Sequence, residues 1–256
     1  MIHGNTSGSG TPILLIHGFC ETSDIWSDLQ TQLSSSYQVI SIDLPGFGKS
    51  SFNATIQSLD EIANEISNFL LTKNISQCFV IGHSLGGYVA LSLARNNPDM
   101  LLGFGLFHST TFSDDEEKKK IRDKTVEFVE NHGIELWAKG FISNLFYSPN
   151  ISHHQGSIKG LIKMVSQTKL EVFSAYSVFM KNRIDSTEFL KNYQKPIFLI
   201  AGEQDTLVSM SQSRYIRDHI TIGDSLILPE TGHMGFIERT GKCISFIKTF
   251  LKNNNF

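Results

Sequence analysis

Short apolar runs alternate with helical patterns along the first half of this chain, and the alternation restricts the possible folds more than any other feature. The runs are typical of buried strands. They occupy residues 13–16, 39–44, 78–82 and 101–107. Between them, apolar residues recur at the three- and four-residue spacing of helices, as at residues 59–70. This order predicts an α/β fold with a mostly parallel, twisted sheet and helices on both faces.

The middle of the chain has a different pattern. Residues 112–186 carry helical signals and no convincing strand, and they are rich in aromatic side chains. Two further apolar runs, at residues 196–201 and 225–228, then restore the alternation. We therefore predict an α/β core with an all-helical cap inserted at residues 112–186. The core is expected to comprise residues 1–111 and 187–256.

Composition and charge argue against several kinds of partner. The chain has 22 basic and 25 acidic residues and a net charge of -3, which gives no electrostatic reason to expect nucleic acid. No apolar run is long enough for a membrane span, and the N-terminus shows no leader pattern. The three cysteines are far apart and lack CxxC spacing. We therefore expect a cytoplasmic location, no disulfide, no zinc site, and a small molecule as the partner.

A glycine-rich segment between a predicted strand and a predicted helix supplies the strongest single motif. It reads Gly82-His83-Ser84-Leu85-Gly86-Gly87 and contains G-x-S-x-G. The glycines two residues before and after Ser84 remove side chains that would collide as strand and helix approach. The turn would expose the serine hydroxyl and leave the Leu85 amide at a helix N-terminus, which favours negative charge. An ordinary glycine-rich turn is the alternative, since the motif also occurs by chance.

Together with two other segments, this motif resembles the α/β-hydrolase superfamily over nearly the whole chain. His17-Gly18-Phe19 follows the first run, and residues 43–50, DLPGFGKS, are similar to the family's D-x-x-G-x-G-x-S loop. The resemblance implies that Ser84 is a nucleophile and that the backbone amides of Phe19 and Leu85 form an oxyanion hole. The family often opens with an antiparallel hairpin. Only about ten residues precede the first run here, so the opening strands are expected to be missing or very short.

Two later loops match the positions at which the family carries its acid and its histidine, in that order. Asp205 follows the run that ends at residue 201, and its carboxylate would accept a hydrogen bond from one ring nitrogen of the histidine. His233, preceded by a glycine, follows the last run and would act as general base. Two alternatives for the acid stay open. Asp205 could merely cap a helix beginning near Leu207, and Glu203 lies two residues earlier.

The resemblance implies acyl transfer to Ser84 followed by hydrolysis of the acyl-enzyme, without a cofactor or metal. The aromatic-rich cap favours an ester of a small, apolar carboxylic acid. Some relatives with the same triad cleave carbon–carbon bonds or catalyse elimination in menaquinone synthesis. Their anionic substrates need a basic pocket, for which the candidates are Arg95, Lys181, Arg183 and Arg214. A non-enzymatic receptor on this fold is a further alternative, favoured by loss of the acid or the histidine, and both are present.

Three further side chains lie close to these motifs in the sequence. His83 precedes Ser84, but the family's turn points this position away from the hydroxyl, which indicates structural support. His108 directly follows the fourth run and is a candidate for lining the pocket. Cys20, next to the expected oxyanion segment, is interpreted as a small buried apolar residue.

Overall fold

The computed structural model describes all 256 residues and shows one sheet of seven strands. The strands are β1 (Gly4–Ser7), β2 (Pro12–Ile16), β3 (Gln38–Ile42), β4 (Cys78–His83), β5 (Leu101–Phe107), β6 (Ile197–Gly202) and β7 (Gly223–Leu228). Their spatial order is β1-β3-β2-β4-β5-β6-β7, and every neighbouring pair is parallel except β1 with β3. The predicted mostly parallel sheet is confirmed.

Eleven α-helices and four short 3₁₀ turns accompany the sheet. The helices are α1 (Ser27–Leu33), α2 (Leu59–Thr72), α3 (Leu85–Asn96), α4 (Glu116–His132), α5 (Ile134–Phe141), α6 (Gln155–Val165), α7 (Leu170–Lys181), α8 (Thr187–Asn192), α9 (Met210–His219), α10 (Gly235–Glu238) and α11 (Thr240–Asn253). None of them combines the length and the apolar character that crossing a lipid bilayer requires.

Both faces of the sheet are buried, as its continuous apolar strands require. Successive side chains of a strand point to opposite faces. Ile13 and Leu15 of β2 therefore join one apolar cluster, which includes residues of α1 and α11. Leu14 and Ile16 join a second cluster with α2, α3 and the helices between β5 and β6. All four side chains are fully buried, so the strand has no solvent-facing side.

The segment between β5 and β6 contains helices α4 to α8 and no strand. Its aromatic side chains lie on the loop that follows β2. The Phe19 ring centroid is 4.9 Å from that of Phe173 and 6.2 Å from that of Trp137. The Tyr176 hydroxyl donates a hydrogen bond of 2.9 Å to the Pro45 carbonyl oxygen. Helices α5 and α7 therefore cover the carboxyl end of β2.

The two ends of the chain differ in detail from the sequence-based expectation. The short strand β1 pairs antiparallel with β3, so one opening strand is present. The apolar pattern of residues 236–251 is typical of a single helix, but the helix is interrupted at Arg239, whose φ of -140° is not helical. The buried Glu238 carboxylate accepts hydrogen bonds from the amides of Gly232 and Tyr147, which fixes the end of α10 to neighbouring loops.

Candidate active site

The side chains singled out in the sequence lie at one edge of the sheet. Ser84 follows β4, Asp205 follows β6 and His233 follows β7, while Phe19 comes after β2. These four strands are parallel, so their carboxyl ends meet at the same edge. The parallel sheet therefore gathers residues that are up to 214 positions apart in the chain.

Ser84 occupies a strained turn between β4 and α3. Its φ of 50° and ψ of -113° lie where L-residues rarely occur, and such strain is often stored at functional sites. A Cβ atom at Gly82 would lie 2.2 Å from the carbonyl oxygen of Gly86. A Cβ atom at Gly86 would lie 2.3 Å from the carbonyl oxygen of Ile16. Both glycines of the motif are therefore required for the close approach of strand and helix.

Asp205 and His233 form a buried pair. The Nδ1 atom of His233 lies 2.7 Å from Asp205 Oδ2, and the exposed fractions of the two side chains are 2% and 1%. Burial alone would raise the pKa of Asp205, but the charge of His233 and hydrogen bonds from two histidines hold it well below its usual range. The carboxylate thus stays ionised and can stabilise a positive charge on the His233 ring.

The second oxygen of Asp205 has a separate role in its own loop. Asp205 Oδ1 accepts hydrogen bonds from the amides of Leu207 and Val208, at 2.8 and 3.0 Å. It does not cap α9, because the capping side chain of that helix is Ser209. The rival acid Glu203 is exposed. One carboxylate therefore both shapes the turn after β6 and holds the histidine.

The structure shows no hydrogen bond between the Ser84 hydroxyl and the His233 ring. The Nε2 atom of His233 is buried and has no hydrogen-bond partner. Ser84 is half-buried. Since Nδ1 is engaged by Asp205, Nε2 is the ring nitrogen left to accept a proton.

The loop that carries His233 is fixed from two sides. The His233 amide donates a hydrogen bond of 2.6 Å to the carbonyl oxygen of Leu145, which lies in the helical segment between β5 and β6. The buried Glu238 carboxylate accepts hydrogen bonds from the amides of Gly232 and Tyr147, at 2.8 and 3.0 Å. The main chain of His233 is therefore tied to the covering helices as well as to the core.

His108 is a second histidine on the same carboxylate, a role that the sequence did not indicate. Its Nδ1 atom lies 3.2 Å from Asp205 Oδ2, and its Nε2 atom accepts a hydrogen bond of 3.2 Å from the Gly235 amide. Nε2 must therefore lack a proton, and Nδ1–H must be the donor to Asp205. Burial, the largest influence, lowers the pKa of His108 to about 4, so the ring is neutral at pH 7.

The ring nitrogens of His108 and His233 and a carboxylate oxygen of Asp205 lie within 4.8 Å of one another, close enough to hold a metal ion. The chemistry of the donors does not suit one. The Nδ1 atom of each histidine already serves Asp205, and the Gly235 amide occupies the other nitrogen of His108. A His108 nitrogen that carries a proton cannot ligate a cation. The cluster therefore fits a hydrogen-bond network built around one carboxylate.

His108 should make the protein less stable in acid. Its pKa is about 4 in the folded state against 6.5 for an ordinary histidine, so between these values the unfolded chain binds more protons. The free energy of unfolding attributable to this group is therefore fully retained above pH 6.5 and falls by about 3 kcal/mol as pH drops towards 4. Urea denaturation at several pH values should show a shallower loss for His108→Gln than for the wild type. His153→Gln, at an exposed site, should keep the wild-type slope, whereas identical slopes in the wild type and His108→Gln would contradict the assignment.

The expected oxyanion segment is held in a fixed conformation. The Phe19 amide makes no hydrogen bond within the chain, and Leu85 is the first residue of α3, so its amide has no partner inside that helix. His17 supports the segment, since its Nε2 atom accepts a hydrogen bond of 2.9 Å from the Leu44 amide. Cys20 is buried and has a φ of 61°. The backbone amides of Phe19 and Leu85 are therefore both free of hydrogen bonds inside their own elements, as donors for a developing negative charge would need to be.

Most of the basic residues considered for an anionic substrate have acidic partners. Arg95 lies 3.0 Å from Asp60, Lys181 lies 2.6 Å from Asp123, and Arg183 lies 2.7 Å from Asp114, measured between nitrogen and oxygen atoms. The fourth candidate, Arg214, is exposed on α9. The neighbouring carboxylates therefore offset the positive charges of three of the four candidate residues.

The chain is similar to proteins whose descriptions name a hydrolase or an esterase. A family model described as alpha/beta hydrolase fold matches residues 11–240. The chain is 26% identical over 250 residues to the uncharacterized hydrolase YugF of Bacillus subtilis strain 168, across 94% of this chain and 89% of that protein. It is 24% identical over 258 residues to a pimeloyl-[acyl-carrier protein] methyl ester esterase of Wigglesworthia glossinidia brevipalpis, across 97% and 96% of the two chains.

Among solved structures, a thermophilic esterase from Thermogutta terrifontis with malate bound matches with a TM-score of 0.94. The two proteins are 25% identical, and the match covers 100% of this chain and 94% of the other. The helical segment between β5 and β6 therefore falls within the matched region as well as the sheet.

Proposed function

The chain belongs to the α/β-hydrolase fold family, and from this premise we propose that it is a serine hydrolase that cleaves carboxylic esters through an acyl-enzyme on Ser84. The observation that carries the proposal is the buried hydrogen bond of 2.7 Å between Asp205 and His233, at the sheet edge that also bears the strained Ser84 turn. His233 combines an ionised carboxylate on Nδ1 with a buried Nε2 that has no hydrogen-bond partner. A histidine with a purely structural role would be expected to have partners for both ring nitrogens.

In the first half of the proposed reaction, the Ser84 oxygen attacks the ester carbonyl carbon while His233 Nε2 takes the hydroxyl proton. The Asp205 carboxylate stabilises the resulting imidazolium through its bond to Nδ1. The carbonyl oxygen becomes negatively charged and is stabilised by the amides of Phe19 and Leu85. Each such donor contributes about 3 kcal/mol to lowering the barrier. The tetrahedral intermediate then collapses: the bond from the carbonyl carbon to the alcohol oxygen breaks, and His233 gives its proton to the leaving alcohol.

In the second half, water replaces the alcohol. His233 takes a proton from the water, whose oxygen attacks the acyl carbon, and the same two amides again stabilise the negative oxygen. Collapse of this intermediate returns the proton to Ser84 and releases the carboxylic acid. Apart from the ester and the water, the proposed reaction uses only groups of this chain.

The substrate proposed is an ester of a small, apolar carboxylic acid. Aromatic rings surround the Phe19 side chain, with Phe173 and Trp137 as neighbours. Two of the similar proteins are described as esterases, one acting on a methyl ester. The pairing of Arg95, Lys181 and Arg183 with carboxylates argues against the alternative of a strongly anionic substrate.

A fluorophosphonate probe tests the proposal directly, because it reacts with activated serines. We expect stoichiometric labelling of the wild type, with the modified peptide carrying the label on Ser84, and turnover of p-nitrophenyl butyrate that stops as labelling proceeds. Ser35→Ala removes an exposed serine outside the site and should label and turn over as the wild type does. Absence of labelling, or a label on another residue, would reject Ser84 as the nucleophile. Absence of both labelling and turnover would favour a non-enzymatic receptor.

A further inference from the structure

A second carboxylate–histidine pair lies beneath the proposed catalytic residues. Glu21 Oε2 lies 2.9 Å from Nδ1 of His83, and the exposed fractions of the two side chains are 7% and 1%. The same oxygen accepts a hydrogen bond of 2.6 Å from the Gly18 amide. A Cβ atom at Gly18 would lie 2.7 Å from both Glu21 Oε2 and His83 Nδ1, so the three groups are closely packed. Nothing in the proposed reaction uses this pair.

The other nitrogen of His83 reaches a third segment. His83 Nε2 lies 3.2 Å from the carbonyl oxygen of His233. A carbonyl oxygen can only accept, and so can an ionised carboxylate, so both ring nitrogens of His83 face acceptors. Both bonds can form together only if the ring carries two protons. The geometry therefore points to a buried imidazolium paired with an ionised Glu21.

The charges around the pair agree with this assignment. Burial, the largest influence, acts to lower the pKa of His83, but the Glu21 charge and the bonds to Glu21 and the His233 carbonyl raise it above its usual value. Burial likewise acts to raise the pKa of Glu21, yet His83, His17 and the Gly18 amide bring it below its usual value. The remaining titratable neighbours of His83 are Asp205, His108 and His233.

The pair joins the three segments that carry the reacting groups. Gly18 precedes Phe19, whose amide is a proposed oxyanion donor, and His83 precedes the nucleophile Ser84. The carbonyl that His83 binds belongs to the proposed base, His233. A shift of about 1 Å in such an arrangement can cost about 100-fold in rate. A rigid link among the three segments should therefore lower the free energy of the transition state more than that of the bound substrate.

We propose, building on the serine hydrolase function above, that Glu21 and His83 are positioning residues: their buried ion pair fixes the oxyanion segment and the base loop relative to Ser84. Neither side chain touches the substrate. Glu21 holds the backbone amide of Gly18, and His83 holds the backbone carbonyl of His233. His83 is also the residue directly before Ser84, so the pair connects to all three segments.

Two single variants test the link in kinetics. Glu21→Gln keeps an oxygen for the Gly18 amide but removes the charge, and His83→Gln removes the ring. We expect kcat for p-nitrophenyl butyrate to fall about 100-fold in each, with KM changed by less than about twofold. Glu171→Gln, on an exposed site of α7, is the matched control and should keep both constants. Wild-type kcat in both test variants would overturn the proposal.

The double variant separates positioning from stability. Each single variant leaves one partner of a buried ion pair behind, which destabilises a fold, whereas Glu21→Gln/His83→Gln removes both charges of this pair. We therefore expect the melting temperature to recover in the double variant while kcat stays about 100-fold low. Recovery of kcat together with the melting temperature would show a purely structural role and overturn the proposal, even if a single variant does not fold.

Nuclear magnetic resonance of the ring nitrogens gives a readout that needs no activity. The spectrum of the wild type at neutral pH should include a ring with both nitrogens protonated whose signals are lost in a variant without His83. A His83 ring with one unprotonated nitrogen would overturn the ion pair. This result is independent of the nucleophile: failure of Ser84 labelling would reject the serine hydrolase, whereas normal labelling with a neutral His83 would reject only the link.

Discussion

Replacing Ser84 with alanine should lower kcat for p-nitrophenyl butyrate by at least about 10⁴-fold. The variant has no oxygen to form the acyl-enzyme, and only the two backbone amides and substrate binding remain to assist attack by water. The fold should be retained, because the change removes one partly exposed oxygen atom and leaves the close contacts of Gly82 and Gly86 unchanged. Steady-state kinetics would measure the loss, and circular dichroism would show whether the structure is intact.

Ser35→Ala provides the matched serine-to-alanine control and should keep the wild-type kcat, since residue 35 is exposed and lies outside the site. A well-folded Ser84→Ala protein with wild-type turnover would remove Ser84 from the mechanism. It would also leave the strained φ of 50° at this residue without a functional explanation.

Replacing Asp205 with asparagine should lower kcat by about 10⁴-fold, nearly as much as loss of the nucleophile. In the wild type one oxygen, Oδ2, accepts from the Nδ1–H groups of both His108 and His233. An asparagine that keeps its carbonyl oxygen at Oδ1 for Leu207 and Val208 presents NH₂ to the two histidines. His233 would then place its proton on Nε2, the atom that must accept the Ser84 proton.

The matched control for the acid is Glu203→Gln, which changes an exposed carboxylate two residues away in the same loop. It should keep kcat within about twofold of the wild type, in line with the small effects of substitutions away from buried networks. The opposite outcome, a large loss in Glu203→Gln and none in Asp205→Asn, would exchange the roles of the two residues.

The parts of the fold that the sequence predicted well are those governed by local pattern. The run at Leu101–Phe107 became β5 with the same bounds, because a fully buried strand needs unbroken apolar residues and Pro98 ends the preceding helical pattern. The G-x-S-x-G motif placed the turn after β4 for an equally local reason, since both glycines avoid backbone contacts near 2.2 Å. For Asp205 and His233 the family resemblance gives the positions in the chain, and their catalytic roles stay a prediction.

The supporting residues of the site could not be predicted in this way. Three of them contact partners that are distant in the chain: Glu21 contacts His83, 62 positions away, His108 contacts Asp205, 97 positions away, and Glu238 contacts Tyr147, 91 positions away. No periodicity or short motif predicts such contacts. A single glutamate or histidine in the sequence is equally compatible with a position on the surface. The sequence indicates structural support for His83, but its two acceptors, Glu21 and the His233 carbonyl oxygen, meet the ring only because the fold brings three loops to one edge of the sheet.

The hydrogen bond from the His233 amide to the Leu145 carbonyl oxygen makes the placement of the proposed proton acceptor depend on the helical segment between β5 and β6, the proposed cover of the substrate. Exchanging those helices for the equivalent segment of another esterase would therefore change turnover along with selectivity. A chimera designed only to accept a bulkier acyl chain would need to preserve the backbone at residues 144–146, where the exchanged segment contacts the loop that carries His233.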